Sequence, residues 1–485
     1  GGEPRSLDPH FDTFPYNTAV TTNTNSGLIR FTRDLREFEL DLAAEMPEQP
    51  DELTYIFRIR QGVKFHDVDP VFGRELTSED VKYSIERQMT NDPGRFQHAY
   101  FFLGKLDRIE TPDRYTVRFV TRRPFAPFLS YIASPWTQVI CREAVEKYGD
   151  LTQHAVGTGP FIFREWQRNV QIVLERNPNY FKQGLPYVDR FVARITTDPN
   201  TAATQFIDEQ VDATITDYSQ LDRVQSSKPE ANYQARPSQF WKQMRMPPNT
   251  PDKARPAPYD DKRVREAIAH AVHKQEEMDL VYSGDGVLTY GPILPIYEKW
   301  ALQEELVPHD LKKARDLLSA AGLSGGHQDT MIFATNPIND QIGEVLQQQL
   351  RQIGWDVTLQ PMELAAYYNK TYAYDYTLSH HTPLNNPDPD ENLSSYFGRN
   401  STYYKYYPGR DQERIWDLID RQAETLDEEE RQQLVREVQE LIVLDYPMVF
   451  LLTNNNHHFT QPWVKGWFYG VDLYDGRIET VWIDR

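Results

Sequence analysis

The serine with the most suggestive spacing for catalysis is Ser324, in GLSGG at residues 322–326. It fits G-x-S-x-G, the pattern of a nucleophilic serine on a sharp turn between a strand and a helix. Here a helical pattern precedes Ser324 and a loop follows it, so Gly322 is predicted to end a helix. The order of elements favours a linker, and a serine hydrolase at Ser324 is the disfavoured alternative.

Histidine pairs suggest a second chemistry, the binding of a metal or another ligand. They lie at 380–381 and 457–458, and His270 and His273 are three residues apart on a predicted helix. H-E-x-x-H is absent, and the single cysteine, Cys141, cannot complete a zinc ligand set. Adjacent side chains of a strand point to opposite faces, so each pair presents one ring per face. We predict no metal site and no cofactor, and a ligand-facing role for one histidine of each pair.

A glycine-rich stretch, VGTGPFIFREWQRNVQIVLERNPNYF, begins at Val156. It is not a phosphate loop, because no Gly-Lys-Ser/Thr follows and the next element is a strand rather than a helix. Gly157 and Gly159 let the backbone turn sharply and pack closely, and Pro160 fixes the direction of exit. FIFREW and VQIVLERN are predicted to form a hairpin.

The elements around these motifs predict two α/β regions. Before residue 240, alternating strands such as LTYIFRIR and RYTVRFV flank a helix, TSEDVKYSIERQM, that Thr77 can cap. After residue 240, apolar residues recur at helical spacing in DKRVREAIAHAVHK, HDLKKARDLLSAAGL and NDQIGEVLQQQLRQIGWDVTLQ. The last of these turns at Gly354 into a strand, which indicates a second α/β lobe.

Length and composition limit the possible classes. A single core stops growing near ~250–300 residues, so 485 residues predict two or three lobes. A net charge of −20 repels nucleic acid, and we predict no nucleic-acid partner. No apolar run approaches the ~20 residues needed to span a bilayer. The start, GGEPRSLDPH, has neither Met nor a hydrophobic leader and is typical of a mature N-terminus after removal of an export signal.

The glycine-rich stretch also carries a family resemblance. VGTGPFIFREW…VLERNPNYF closely resembles the signature of the family 5 extracellular solute-binding proteins, the dipeptide-, oligopeptide- and nickel-binding components of bacterial ABC importers. Further segments resemble the family's landmarks, in the family's order along nearly the whole chain: SLDPH, LTYIFRIRQGVKFHD with LTSEDVKYSIER, LPYVDRFVARI, DDKRVREAIAHAV, LKKARDLLSAAG, LQQQLRQIGWDV, NNPDPDENLSSYF and VKGW.

The resemblance implies an α/β fold with the two-lobed periplasmic-binding-protein type II architecture. The first lobe carries an extra subdomain, as in the large cluster C-like members, and the ligand cleft lies between the lobes. The chain is expected to cross near FWKQMRM and FLLTNNNHH. The predicted boundaries are 1–27, 156–240 and 458–485 for the lobe I core, 28–155 for the extra subdomain and 241–457 for lobe II.

The function implied by the resemblance is capture rather than catalysis. A solute, most of all a peptide, favours a closed state that the permease subunits of an ABC importer recognise. An oligosaccharide or another small polar solute is the alternative, and a nickel or metal chelate held by His380 or His381 is less favoured. The resemblance also predicts a monomer in the periplasm or at the cell surface, anchored through a removed lipoprotein signal.

One departure from the family pattern bears on the ligand. Peptide-binding members hold the ligand's free amine with an aspartate, and the matching position here is Asn385, just before Asp388 and Asp390. An amide cannot neutralise an ammonium as a carboxylate does, whereas the two nearby aspartates are predicted to serve a turn and a helix cap. The predicted ligand-binding residues are aromatic, histidine, asparagine and threonine side chains near the expected cleft: Phe14, Tyr16, Trp241, Tyr376, His380, His381, Thr382, Asn385, Asn386, Asn455 and His457.

Overall fold

The structure is a computed structural model of the chain. It describes residues 2–11, 15–90, 101–247, 256–399, 401, 404, 412–470, 472 and 476–485. The chain divides into two compact units. Unit 1 comprises Gly1–Arg236 and Asn456–Arg485, and unit 2 comprises Pro237–Asn455. The predicted three-part division of the chain, with its separate subdomain, stays a prediction.

Unit 1 contains short helices and three small antiparallel sheets in its first segment. Its elements are α1 (Pro15–Thr24), β1 (Ile29–Phe31), β2 (Phe38–Leu40), β3 (Glu48–Asp51), β4 (Thr54–Arg58), α2 (Ser78–Gln88), β5 (Leu106–Asp113), β6 (Thr116–Thr121), α3 (Phe128–Ile132), α4 (Arg142–Tyr148), β7 (Phe161–Gln167), β8 (Gln171–Arg176), β9 (Arg190–Arg194), α5 (Pro199–Ile207), β10 (Ala213–Thr216) and α6 (Leu221–Ser227). The sheets have the strand orders β1-β2, β3-β4-β6-β5 and β7-β8-β9.

Unit 2 is mostly helical around a mixed sheet. Its elements are β11 (Asn232–Arg245), α7 (Lys262–Ala271), α8 (Lys274–Tyr282), β12 (Gly286–Leu288), α9 (Leu311–Ala320), β13 (His327–Ala334), α10 (Pro337–Arg351), β14 (Trp355–Met362), α11 (Leu364–Tyr372), β15 (Leu378–His381), α12 (Pro389–Phe397), α13 (Gln412–Glu424), α14 (Glu428–Asp445) and β16 (Met448–Thr460). Two further strands, β17 (Val464–Lys465) and β18 (Trp482–Ile483), lie in the second segment of unit 1. The unit boundaries fall inside β11 and β16, so these two strands carry the chain from unit 1 to unit 2 and back.

The sheet of unit 2 combines both pairing directions. β13 is parallel to β14 and to β15, and β15 is antiparallel to β11. The helix-then-strand units predicted for this region are confirmed. In α10, Ile342, Leu346 and Leu350 are fully buried, which is the stripe expected from a period of 3.6 residues. Gly354 then adopts a φ of +81°, a left-handed conformation that favours glycine, before β14 begins.

The glycines of the Val156 stretch serve the fold of unit 1, as predicted. A Cβ on Gly157 would lie 2.2 Å from the carbonyl oxygen of Thr24, and one on Gly159 would lie 2.5 Å from the Thr24 carbonyl carbon. The backbone is also held there: His66 N donates to the Gly157 oxygen at 2.8 Å, and Asn177 Nδ2 donates to the Gly159 oxygen at 3.0 Å. The hairpin predicted after Pro160 is the β7–β8 pair.

Ser324 lies in an exposed turn between α9 and β13. This order, helix before and strand after, is the reverse of the arrangement that a nucleophilic serine in G-x-S-x-G requires. Asp310 caps α9 by accepting a hydrogen bond from Lys313 N at 2.8 Å, and Gly322 follows the helix with a φ of +81°. The linker interpretation of GLSGG is therefore confirmed.

The C-terminal segment is less regular than its aromatic, alternating sequence predicts. In the described part of residues 463–485, strand pairing is limited to β17 and β18, which are two residues each. Across the ranges that the structure describes, no helix is both long and apolar enough to cross a bilayer.

Candidate functional site

The predicted ligand-binding residues fall in both units. Tyr16 and His457 belong to unit 1, and Phe14 lies outside the described residues. The other eight belong to unit 2: Trp241, Tyr376, His380, His381, Thr382, Asn385, Asn386 and Asn455.

The pairing of β11 with β15 brings most of the unit 2 residues together. Met244 lies opposite His380 and Gln243 lies opposite His381. The contact continues past the end of β15, because Trp241 N donates to the Pro383 oxygen at 3.1 Å and Asn385 N donates to the Gln239 oxygen at 2.9 Å. Residues 380–386 therefore run beside residues 239–244. No local pattern indicates this pairing, since more than a hundred residues separate the two segments.

His381 lies on the aromatic face of this pair of strands. Its Nδ1 is 2.7 Å from the hydroxyl of Tyr367, which donates its single proton to the His380 carbonyl oxygen at 2.8 Å. The proton between Tyr367 and His381 therefore belongs to Nδ1. Burial lowers the pKa of His381 well below its usual value, with a further contribution from Arg245, so the ring is neutral. Tyr376 packs in the same aromatic cluster as Tyr367, and its hydroxyl has no hydrogen-bond partner in the described part of the chain.

His380 lies on the other face, as expected for adjacent residues of a strand. Among the described residues, neither ring nitrogen has a hydrogen-bond partner, and the residue is only 1% exposed. Burial, together with the nearby Lys242 ammonium, lowers the pKa of His380 to about 3. Lys242 Nζ itself donates to the Thr382 hydroxyl at 3.3 Å.

Glu277 of α8 is a buried acidic residue outside the predicted set of site residues. Its side chain is fully buried, and neither carboxyl oxygen has a hydrogen-bond partner within the described ranges. Burial raises the pKa of Glu277 to about 8, although Lys242 and Lys274 act in the opposite direction. The signal was present in the helical periodicity, because Lys274, Glu277 and Val281 share the buried face of α8.

Asn385 has an extensive set of hydrogen bonds inside unit 2. Its Oδ1 accepts from Leu294 N at 3.3 Å and from Asn392 Nδ2 at 3.1 Å. Its Nδ2 donates to the Pro292 oxygen at 2.7 Å, and its main-chain oxygen accepts from Gln239 Nε2 and Tyr297 Oη. These bonds give Asn385 a structural role, and its role toward a ligand stays a prediction.

The residues after Asn385 are held equally firmly. Asp388 caps α12 by accepting from Asp390 N at 2.9 Å and pairs with Arg431 at 2.6 Å, which confirms its predicted cap role. Asp390 accepts from Ser394 Oγ at 2.6 Å and from Gln422 Nε2 at 2.8 Å. Asn386 Nδ2 donates to Glu391 Oε1 at 2.5 Å, whereas its Oδ1 has no hydrogen-bond partner. This segment is thus ordered by contacts within unit 2.

The remaining predicted residues have separate surroundings. Trp241 stacks on Phe450 with ring centroids 5.4 Å apart, and Asn455 Nδ2 donates to Asp285 Oδ1 at 2.6 Å. In unit 1, Tyr16 is exposed on α1, and His457 Nδ1 is 2.9 Å from the Tyr233 hydroxyl. Within the described ranges, no group of three or more histidine, cysteine, aspartate or glutamate side chains is placed to hold a metal ion.

Comparison with known proteins assigns the chain to a family. Residues 37–404 match the family described as Bacterial extracellular solute-binding proteins, family 5 Middle. The chain belongs to this family. It is 30% identical over 361 residues to the glutathione-binding protein GsiB of Salmonella paratyphi A, a match that covers 74% of this chain and 67% of the relative. It is 28% identical over 382 residues to the di/tripeptide-binding protein 2 of Pseudomonas aeruginosa, covering 74% and 70%.

The solved structures agree with the family assignment. The ABC transporter-associated periplasmic binding protein DppA from Helicobacter pylori, solved in complex with the peptide STSA, superposes with a TM-score of 0.84 at 25% identity. The match covers 100% of this chain and 97% of that one. The predicted α/β fold of the family is therefore confirmed.

Family membership also decides the general function. This family 5 member is a solute-binding protein of ABC import, from a family of extracellular, non-catalytic proteins. The prediction that the chain is not an enzyme is confirmed, and the serine hydrolase alternative is wrong for a chain of this family.

Proposed function

We propose that this solute-binding protein captures a peptide and presents it to the permease of its importer through a closed state that ligand binding favours. The observation that carries the proposal is the chemistry shared by its relatives. GsiB is named for glutathione, itself a tripeptide, the Pseudomonas relative for di- and tripeptides, and the Helicobacter protein was solved with STSA. A monomeric state and a lipid anchor remain predictions from the family resemblance.

The surroundings of Asn385 support a peptide held without a carboxylate at that position. Asn385 is uncharged, and the nearby Asp388 is already paired with Arg431. A free ammonium buried there would lack a dedicated counter-charge, and burying an unpaired charge is costly. We therefore expect the peptide's amine either to be masked or to be neutralised elsewhere.

A thermal-shift panel tests the proposal with matched ligands. It compares di- to tetrapeptides with their N-acetylated forms, glutathione, oligosaccharides, and nickel with and without a chelator. A ligand at about 100 times its Kd stabilises the folded protein by about 2.7 kcal/mol, which a melting curve resolves. We expect peptides to raise the Tm, and the acetylated forms to do so at least as well as the free ones.

Two other outcomes would change the conclusion. A shift with oligosaccharides but not with peptides would replace the peptide proposal by the second candidate, a neutral hydroxyl-rich solute, which the amide of Asn385 suits because it both donates and accepts hydrogen bonds. A shift with nickel alone would favour the metal alternative. The contacts of the histidines do not support a metal site, since His381 is hydrogen-bonded to Tyr367 and His380 faces the opposite side of the sheet.

A further inference from the structure

A polar cavity lies wholly within unit 1, apart from the residues discussed above. The centre of a water-sized sphere can move through about 40 Å³ of it, so it admits only a very small ligand. The end of α1, strand β1, the segment 133–138 and Arg477 line it. The lining includes hydrogen-bond donors and acceptors as well as the apolar residues Ile29 and Phe31. Such a combination is typical of small-molecule sites, in which a few polar groups orient a ligand.

The cationic side of the cavity is formed by Arg30 and Arg477. Arg30 makes three hydrogen bonds: Nη1 and Nη2 donate to Glu479 at 3.2 and 2.6 Å, and Nε donates to Glu39 at 2.8 Å. Among the described residues, Arg477 Nη1 donates to Glu39 at 2.6 Å and Nη2 donates to the Phe31 oxygen at 3.2 Å, and the guanidinium lies 4.2 Å from the centroid of the Phe468 ring. A guanidinium has five N–H donors, and the described residues account for two of those of Arg477.

Arg477 is paired with Glu39 at 2.6 Å, yet burial disfavours its charge. Burial and repulsion from the neighbouring Arg30 together lower the pKa of Arg477 to about 10, against the attraction of Glu39 and Glu479. The cationic form therefore costs free energy in this place. A carboxylate beside Arg477 would lower that cost and could accept two parallel hydrogen bonds from the guanidinium.

The acceptor side of the cavity is formed by Gln138 and Asp41. Gln138 is 6% exposed, and its Oε1 has no hydrogen-bond partner among the described residues. Its main-chain oxygen accepts from the His10 ring at 2.8 Å, which fixes the residue in place. Asp41 is ion-paired with Lys182 at 2.9 Å and accepts from Gly27 N at 3.1 Å. A buried acceptor without a donor costs free energy, which a donor on a ligand would recover.

We propose that this cavity binds a small zwitterion of the α-amino acid class, with its carboxylate on Arg477 and its ammonium on Gln138 Oε1 and Asp41. A simple anion fits less well because Asp41, Glu39 and Glu479 are close, and a simple cation fits less well because of the two arginines. Only a ligand with both charges satisfies both sides. The proposal goes beyond the capture of the transported solute, and it names a second binding surface inside unit 1.

Isothermal titration of the whole protein with glycine tests the proposal, with acetate and methylamine as half-ligands. We expect saturable one-to-one binding of glycine and at least tenfold weaker binding of each half-ligand. Gln138→Met keeps the size of the side chain but removes the acceptor, and should weaken glycine at least tenfold. Gln138→Glu keeps an acceptor and should retain binding. The matched control is Gln210→Leu, because Gln210 is exposed and its side chain has no polar contact among the described residues.

The result that overturns the proposal is an absence of glycine binding, or equal binding in the wild type, in Gln138→Met and in Gln210→Leu. If Gln138→Met does not fold, Gln138→Glu decides: loss of binding in that folded variant also overturns the proposal. Capture of the solute is tested separately by the thermal-shift panel.

The zwitterion could be a free amino acid or one end of the transported peptide, and competition distinguishes the two. If glycine binds equally well when the protein is saturated with the peptide, the site accepts free amino acids. If the peptide displaces glycine, and Gln138→Met weakens both, the site holds the end of the solute. Displacement of glycine without any effect of Gln138→Met would place glycine elsewhere and overturn the proposal.

Discussion

Asn385 Nδ2 donates a hydrogen bond to the carbonyl oxygen of Pro292 at 2.7 Å. An aspartate at residue 385, which the family pattern would suggest, would place a carboxylate oxygen against that carbonyl. Asn385→Asp is therefore expected to lower the free energy of unfolding by about 1–3 kcal/mol, because a buried pair of acceptors replaces a hydrogen bond. Urea denaturation measures this loss, with the exposed Asn369→Asp as control.

The same variant separates the two roles of Asn385. If Asn385 faces the ligand, as predicted from the sequence, Asn385→Asp should weaken binding of the native solute. Reduced stability with unchanged affinity for the solute would show that Asn385 orders unit 2 and does not touch the ligand. Unchanged stability would contradict the structural role inferred from its hydrogen bonds.

Glu277 predicts a pH dependence of stability. Its pKa is raised to about 8 in the folded protein, whereas a glutamate in an unfolded chain ionises near ~4.3. The folded state thus retains a proton that the unfolded state releases. The stability contributed by the neutral carboxyl is fully present below that lower value and is lost as the pH rises to about 8. The free energy of unfolding should fall between pH 6.5 and 8, by of order 1 kcal/mol per unit.

Urea titrations at several pH values can assign this pH dependence to Glu277 rather than to its neighbours. His380 is neutral in the folded protein throughout this range, because its pKa is lowered to about 3, and comparison with Glu277→Gln subtracts its remaining protonation in the unfolded chain. Lys242 and Lys274 oppose the shift of Glu277, and Lys274 is itself paired with Glu305 at 2.9 Å. Glu277→Gln should flatten the slope, and the exposed Glu344→Gln should not. An unchanged slope in Glu277→Gln would assign the pH dependence to another group.

Gly157 tests the close approach of two backbone segments. In Gly157→Ala the new Cβ would lie 2.2 Å from the Thr24 oxygen and 2.3 Å from Asn25 Oδ1. The backbone must shift, so we expect a loss of about 1–3 kcal/mol or more in unfolding experiments. Gly325→Ala is the control, since nothing lies within 4 Å of its Cβ. Equal melting temperatures for the two variants would contradict the predicted role of the glycines.

Asp8 and Arg87 form a buried ion pair at 2.5 Å, with side chains 3% and 7% exposed. Arg87→Met should cost about 3–5 kcal/mol, because it leaves the carboxylate of Asp8 buried without its counter-charge. Arg142→Met removes the exposed pair with Glu146 and should cost at most about 1 kcal/mol. Denaturant melts of both variants check the contrast. Similar small losses would show that Asp8 is solvated in solution.

Local rules predicted much of the fold from the sequence. Thr77 and Asp80 mark the start of α2, where Thr77 N donates to Asp80 Oδ2 at 2.8 Å. Asp388 caps its helix as expected, and Asp310 caps α9 in the same way. Caps, turns and periodicity depend on residues a few positions apart, so a single sequence contains the whole interaction. The ordered motifs that indicate the family are of the same kind.

Contacts between distant segments could not be predicted in this way. Asn385 was expected to face a ligand, but its hydrogen bonds to Pro292 and Leu294 depend on how separate loops pack. The burial of Glu277 near Lys242 depends on how α8 packs against α10 and β12.

The cavity of unit 1 could not be predicted from the sequence either, because Arg30, Gln138 and Arg477 are far apart along the chain. The sequence by itself determined the elements, the family and the role of solute binding, since these follow from local patterns. Only the tertiary structure decided which polar groups are satisfied within the protein and which remain available to a ligand, because burial and pairing are set by packing.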